Sequence, residues 1–394
     1  MKKILTSIFV TMVLFGCGEK RAMESSADAV GAPSTHSEPA GPSDENQKKP
    51  EQQIQSGQIT AAEWNDLANW EFWTSLNKDS SFSGMSDYWG YGLTNRISVN
   101  LKSNDAVLAD VPVELVNANG QTIWKSKTNN KGNAELWPFQ KNGNQSSLNG
   151  LKVKAGDQIF ENLKVYKKND INNLVITQSV PHNTEKKIDI AFVVDATGSM
   201  GDELEYLKVE LADVVKNVKS QNPTALLQMG SVFYRDQGDE YVTKKSDLTS
   251  DIDVTVDFIK DQAANGGGDF PEAVEIALSE SINELKWSAD ATSRILFLVL
   301  DAPPHYDAKI VSEIHALIEL ASSKGITIIP IVASGIDKET EFLMRYMAIA
   351  TNGTYVFITN DSGIGNDHLI ASVGPYQVEF LNKLMERLIN DSLK

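Results

Sequence analysis

One stretch constrains the rest of the chain. Ile188-Asp189-Ile190-Ala191-Phe192-Val193-Val194-Asp195 is an apolar run that ends in a carboxylate. Ala196-Thr197-Gly198-Ser199-Met200 follows, and then a helical pattern begins. A short run rich in β-branched and aromatic residues, bounded by turn residues, reads as a strand buried on both faces of a parallel sheet. The loop after it carries D-x-T-x-S. Asp195, Thr197 and Ser199 are hard oxygen donors, the type that Mg²⁺ or Ca²⁺ requires.

From about residue 186 the pattern alternates strand and helix. A helix is predicted from about Met200 to Lys219, with Leu204, Leu207, Leu211, Val214 and Val215 on one face. Further strands are predicted at Gln228–Tyr234, Arg294–Asp301, Ile326–Val332 and Tyr355–Ile358, and helices near 252–262, 271–286, 308–323, 338–349 and 376–390. Repeating βα units imply an α/β fold, a doubly wound and mostly parallel, Rossmann-like sheet with helices on both faces. In such sheets ligands bind beyond the carboxyl ends of the strands, where the winding reverses. Asp195 and Asp301 each end an apolar strand. If the two strands are neighbours there, both carboxylates meet in one crevice.

This stretch resembles the von Willebrand factor type A family, and the D-x-T-x-S loop resembles the first loop of its metal-ion-dependent adhesion site (MIDAS). The resemblance implies that Asp195, Thr197, Ser199 and Asp301 hold a divalent cation, Mg²⁺ or Mn²⁺ or else Ca²⁺. The family's third loop usually brings a threonine after a glycine run. Here that place reads Asn265-Gly266-Gly267-Gly268-Asp269-Phe270-Pro271-Glu272, with Asp269 where the threonine is expected. This form, together with Asp301-Ala302-Pro303-Pro304-His305, resembles a sub-branch that includes hemicentin-like A domains and those attached to alpha-kinases. Asp269 is therefore a further metal candidate; its other reading is a helix N-cap, with Glu272 completing a capping box. An added carboxylate weakens the pull of the ion on an acidic ligand. Asp236 ends another strand at the same rim and is a candidate to support the site at one remove.

The preceding segments read differently. Residues 1–17 have Lys2 and Lys3 before an apolar stretch that ends Leu14-Phe15-Gly16-Cys17, and Cys17 is the single cysteine. This resembles a bacterial lipoprotein signal with its lipobox. It implies lipidation of Cys17 and a membrane contact through that anchor, with the outer membrane preferred because Gly18, not Asp, follows. Residues 18–58 are rich in Ser, Ala, Pro, Glu, Gln and Lys, and are expected to form a disordered linker reaching roughly 35 Å. Residues 59–92 form a Trp-rich segment with Trp64, Trp70, Trp73 and Trp89. A helix over Ala61–Leu76, capped by Thr60, is predicted from the spacing to Glu63. Its aromatics are expected to staple the segment onto the next domain, with a sugar-stacking platform as the alternative. Residues 93–178 switch to period two with Asn-Gly and Gly turns, which predicts a small all-β sandwich serving as a stalk. Its turn order resembles carboxypeptidase-regulatory-like or Cna-B-like β-domains.

The net charge is −17, which argues against nucleic acid as a partner. Residues 186–394 carry 18 Lys plus Arg against 33 Asp plus Glu, so most of the excess lies in this last domain. The five histidines make no H-E-x-x-H pattern and there is no cysteine cluster, so no zinc site is expected. His305 either lines the cleft or is a hydrogen-bonded loop residue. A Ser199–His305–Asp301 hydrolase lacks the G-x-S-x-G elbow. The expected protein is thus not an enzyme. It is a lipid-anchored, adhesion-type module of the bacterial cell envelope, whose cation meets an acidic or carbonyl group on a protein ligand. The alternatives are a scaffold subunit of an envelope complex with a structural metal, and a hydrolase.

Overall fold

The computed structural model describes residues 54–394 except 77, 93–94, 105, 139–146, 167–169 and 178–184. The signal-like segment, Cys17 and the linker as far as residue 53 lie outside the described residues. Among the described residues, no helix is long and apolar enough to cross a membrane.

The chain opens with β1 (Thr60–Trp64), α1 (Trp70–Leu76) and α2 (Ser80–Trp89). Eight short strands follow: β2 (Ile97–Ser103), β3 (Ala106–Val107), β4 (Pro112–Val116), β5 (Thr122–Lys127), β6 (Asn133–Leu136), β7 (Lys152–Ala155), β8 (Gln158–Phe160) and β9 (Asn172–Val175). β2 pairs antiparallel with β3 and β6 and parallel with β9, while β5-β4-β7-β8 form a second, antiparallel sheet. Alternate residues Val113, Leu115, Val153 and Ala155 of one sheet and Val99, Leu101, Ala134 and Leu136 of the other are buried in one core, the arrangement of a β-sandwich. The predicted turn at Asn119-Gly120 joins β4 to β5. Gly120 takes φ +80°, and the Asn117 carboxamide oxygen accepts from the N–H groups of Asn119 and Gln121.

The last part contains β10 (Lys187–Asp195), α3 (Leu204–Gln221), β11 (Leu226–Tyr234), β12 (Thr243–Thr249), α4 (Ile252–Lys260), α5 (Val274–Asn283), β13 (Ser293–Leu300), α6 (Ala308–Lys324), β14 (Ile326–Val332), α7 (Lys338–Ala350), β15 (Tyr355–Ile358), β16 (Val378–Phe380) and α8 (Leu381–Ser392). The eight-stranded sheet runs β12-β11-β10-β13-β14-β15-β1-β16. Its five central strands are parallel; β12 and β1 run antiparallel to them, and β16, paired antiparallel with β1, returns to their direction. Chain order reverses between β10 and β13, which lie side by side with Val194 opposite Val299. The neighbour relation that the sequence left conditional therefore holds. Helix ends follow local chemistry: Asp307 caps α6 by accepting from the N–H groups of Lys309 and Ile310, and Gly325 ends it at φ +71°.

Three expectations need correction. The helix expected over Ala61–Leu76 is instead a strand followed by a shorter helix. Thr60 is not a cap; it pairs with Phe380, and Ala61 pairs with Ile358. Burial of Ile59, Ala61 and Ala62 between β15 and β16 overrides the local capping pattern. The four tryptophans are buried and form no exposed platform. Most of them do not staple to the sandwich. Trp70 does meet Trp137 there, at 5.6 Å, but Trp73 stacks on Phe342 of α7 at 5.6 Å and the Trp89 indole donates to the Glu339 carbonyl. The helix expected from Met200 begins as a 3₁₀ turn, Gly198–Asp202, before α3, and the final helix starts at Leu381 because residues 378–380 extend the sheet.

Candidate metal centre

The site lies at the carboxyl ends of β10 and β13. Asp195 is the last residue of β10 and is fully buried. Its Oδ1 accepts from the Thr197 N–H at 2.9 Å and the Thr197 hydroxyl at 2.7 Å. The Ser199 hydroxyl lies 3.1 Å from that of Thr197 and also stands beside Asp301. D-x-T-x-S thus folds its two hydroxyls back toward the carboxylates, and Gly198 between them lets the loop touch the glycine loop. The Gly198 N–H donates to the Gly266 carbonyl, and a Cβ at Gly198 would stand 3.0 Å from that oxygen.

The glycine loop is pinned from three sides. The Asn265 N–H donates to the Ala196 carbonyl. Asp239 accepts from the Gly267 N–H at 2.8 Å, and its carboxylate fills the space a Cβ at Gly266 would need. The Arg235 guanidinium donates to the carbonyls of Ala196 and Ala263. These contacts form one cleft lined by Ser199, Gly267, Asp269, Phe270, Glu272 and Asp301.

The predicted residues separate here. Asp195, Thr197, Ser199 and Asp301 come together. Asp269 stands exposed on the lip of the cleft. It is not a helix cap: α5 starts at Val274 behind Ala273, which makes no side-chain cap bond. Glu272, expected to complete that cap, is instead buried inside the cleft. Its N–H donates to the Pro303 carbonyl, and it bridges to Pro304 beside the Asp301 loop. Its Oε1 and the Thr197 Cβ flank the same face of Gly267, at 2.9 and 3.3 Å from where a Cβ would stand. Asp236 pairs with His305, Nε2 to Oδ1, at 2.7 Å. His305 is therefore a hydrogen-bonded loop residue that ties the β11 end to the β13 end. Tyr234 and Glu203 were missed. The Tyr234 hydroxyl is buried next to Asp195. Glu203, at the start of α3, is buried beside Asp301 and accepts from the Ser334 N–H.

The electrostatics follow from this crowding. Burial, then the Asp301 charge, raises the Asp195 pKa to about 7 against the pull of Thr197. Burial, with Glu203 and Asp202, raises Asp301 to about 6. Burial and the charges of Asp195, Asp236, Asp301 and Asp239 raise Glu272 to about 9. Asp195 Oδ2, Asp301 Oδ1, Glu203 Oε2 and Glu272 Oε2 are buried without a hydrogen-bond partner. Buried carboxylate oxygens without donors are costly. Protonation relieves part of this cost, and a hard cation would relieve it too; the donor set, two carboxylates and two hydroxyls, is all oxygen. Among the described residues no three His, Cys, Asp or Glu side chains gather as a metal cluster on their own.

Residues 189–364 match the von Willebrand factor A domain. This part of the chain is a von Willebrand factor A domain. Two relatives match part of the chain. One is an ariadne-like RING finger protein of Acanthamoeba polyphaga mimivirus, 36% identical over 119 residues, which are 30% of this chain and 11% of that protein. The other is the alpha-protein kinase vwkA of Dictyostelium discoideum, 27% identical over 121 residues, 30% of this chain and 19% of that protein. The chain spans less than a fifth of either relative's length. Such A domains are commonly protein-interaction modules.

Proposed function

We propose that the chain is a divalent-cation-dependent protein-binding module of the adhesion type, held at the bacterial cell envelope by a lipid on Cys17. One observation supports the cation reading most strongly. Two strand-ending carboxylates, Asp195 and Asp301, meet at the switch point with unpartnered buried oxygens, beside the Thr197 and Ser199 hydroxyls and an open cleft. Mg²⁺, Mn²⁺ or Ca²⁺ would be held by these four residues, with Asp269 on the lip. When bound, the ion supplies a positive centre with an open position for an oxygen of the partner. The protein's own residues set the entrance: Asp239 and Arg235 fix the glycine loop, and the Asp236–His305 pair fixes the loop after Asp301.

The test is a thermal-shift titration with Mg²⁺, Mn²⁺ and Ca²⁺ on the wild type and Asp195→Ala. Stabilisation of the wild type by at least one ion, absent in the variant, is the expected result. No response of the wild type to any ion sinks the cation reading. Membrane fractionation of wild type and Cys17→Ser tests the anchor separately: release of the variant into the soluble fraction is expected, and identical fractionation refutes it.

A further inference from the structure

The two edges of the eight-stranded sheet are finished differently. β12, at one edge, carries Lys244, Lys245 and Asp247. Lys245 reaches Glu280 and Glu284, and the Lys244 ammonium lies over the Tyr241 ring. Charged side chains, lysine above all, keep an edge strand from pairing with another chain. β16, at the other edge, has no such guard. Val378 and Phe380 are 42% and 49% exposed, and Tyr376 just before them is 49% exposed. These three alternate along the chain and so share one face. The one charge in β16, Glu379, lies on the other face, where Arg387 donates to it at 2.6 Å.

The register fixes where the backbone groups of this edge point. Val378, Glu379 and Phe380 stand opposite Ala62, Ala61 and Thr60 of β1, and the Leu381 N–H donates to the Ile59 carbonyl. Bonded and non-bonded positions alternate in an antiparallel pair, so Glu379 also turns its N–H and C=O toward β1. Val378 therefore turns both of its groups off the open edge, and Phe380 its N–H.

This edge is complementary to itself. With a second copy laid antiparallel about a twofold axis at Val378, Val378 faces its counterpart. Tyr376 of each copy faces Phe380 of the other, on the same face of the joined sheet. On the opposite face Gln377, which is exposed, meets the Glu379 carboxylate of the other copy. No like charges are opposed, and aromatic pairs of this kind stabilise neighbouring strands. The Tyr376 ring is already seated against Phe357, edge-on at 5.0 Å. We propose that β16 is a self-association edge, through which two copies of this chain pair antiparallel about Val378 and join their sheets. A pairing this short makes a weak, concentration-dependent dimer. The inference is independent of the cation reading, since β16 lies four strands away from β13.

The test uses the whole chain. Cys17 is the single cysteine, so Cys17→Ser gives a cysteine-free parent. Facing Cα atoms of a hydrogen-bonded antiparallel pair are about 5.5 Å apart, inside disulfide range. Val378→Cys in this parent is expected to cross-link to its own copy under mild oxidation. Pairing makes that step effectively intramolecular, so it is expected to run at least about tenfold faster than in Ile370→Cys. Ile370 is 88% exposed and lies outside β16, and so controls for accessibility alone. Sedimentation velocity of the parent is expected to show a monomer–dimer equilibrium. Val378→Lys sets two like charges against each other at the axis and is expected to weaken that equilibrium at least about tenfold. A thermal melt matching the parent shows that this variant is folded, and the cross-linking measurement does not depend on it. Equal cross-linking of Val378→Cys and Ile370→Cys overturns the inference. So does a dimer that Val378→Lys leaves unchanged, or a parent that is monomeric at about 100 μM. If the Val378 and Phe380 amides of such a monomer resist hydrogen exchange, another segment of the chain holds the edge in place of a second copy.

Discussion

Asp195→Asn is expected to remove a pH dependence of stability that the wild type shows in the absence of divalent ions. The Asp195 carboxyl has a pKa of about 7 in the folded protein against an ordinary value of 3.8. The folded state thus holds its proton where the unfolded state has lost it. The associated stability is complete below pH 3.8 and is lost as the pH rises through 7. Between pH 5 and pH 8 the loss is about 2.5 kcal/mol, at 1.36 kcal/mol per pH unit over the range below 7. For a body of this size that lowers Tm by about 3–4 °C. Asp301 and Glu272 share the same repulsion, so their contributions do not simply add to it. Asparagine keeps an oxygen for the Thr197 donors and cannot ionise. Thermal melts in EDTA at pH 5, 6, 7 and 8 measure the effect, with the wild-type slope compared against that of the variant. A divalent ion at a hundred times its dissociation constant adds about 2.7 kcal/mol to the wild type and restores the loss. Equal slopes for the two proteins in EDTA would refute the electrostatic reasoning.

Two further outcomes test the packing. Asp66 receives two bonds from Arg345, at 2.6 and 2.9 Å, with both residues buried. Asp66→Ala leaves a buried guanidinium short of a partner and is expected to cost about 3–5 kcal/mol in urea unfolding; a loss under 1 kcal/mol would contradict the assigned burial. The glycines offer a paired contrast. Gly84 lies within α2 with open space where a Cβ would go, so Gly84→Ala is expected to stabilise by about 1 kcal/mol. At Gly353 a Cβ would stand 2.1 Å from the Ile328 carbonyl oxygen, so Gly353→Ala must displace β14 and is expected to destabilise by about 1–3 kcal/mol or more. The same urea measurement checks both signs.

The parts of the fold that the sequence revealed share a physical cause. β10, β13 and β14 are buried on both faces, so each carries a continuous apolar run, Ile190–Val194, Ile295–Leu300 and Ile328–Val332, that no helix of that length would need. Asp195 and Asp301 stand out because each breaks such a run at its carboxyl end. β12, Thr-Lys-Lys-Ser-Asp-Leu-Thr, was illegible for the opposite reason: as an edge strand it buries only Ser246 and Leu248 and looks like a polar loop. β16 is mostly exposed and three residues long. At the site, the capping-box spacing of Asp269 and Glu272 concealed the buried glutamate. Its place depends on the Pro303–Pro304 segment, 31 residues further along, and no local pattern records that contact.

β1 carries the strongest consequence for domain organisation. It belongs to the sheet of the A domain, yet the β-sandwich lies between it and β10 in the chain. The sandwich is therefore an insertion between two strands of one sheet. A fragment of residues 186–394 contains every predicted metal ligand but lacks β1, so β15 loses a neighbour and β16 loses its attachment. It also loses Asp66 from Arg345, Trp73 and Phe82 from Phe342, and the three N–H groups of residues 57–59 that Glu210 receives. The broken buried ion pair alone costs about 3–5 kcal/mol, and the stability of a natural domain is about 5–15 kcal/mol. The remaining losses cover two aromatic contacts and a buried carboxylate, enough to exhaust the difference. The fragment is expected to show no cooperative melt with saturating divalent ion, whereas residues 54–394 melt cooperatively. A peptide of residues 54–92 added to the fragment is expected to restore part of the transition by supplying β1 and the tryptophans. Cooperative melting of 186–394 alone, within about 5 °C of residues 54–394, would show that β1 only decorates the sheet.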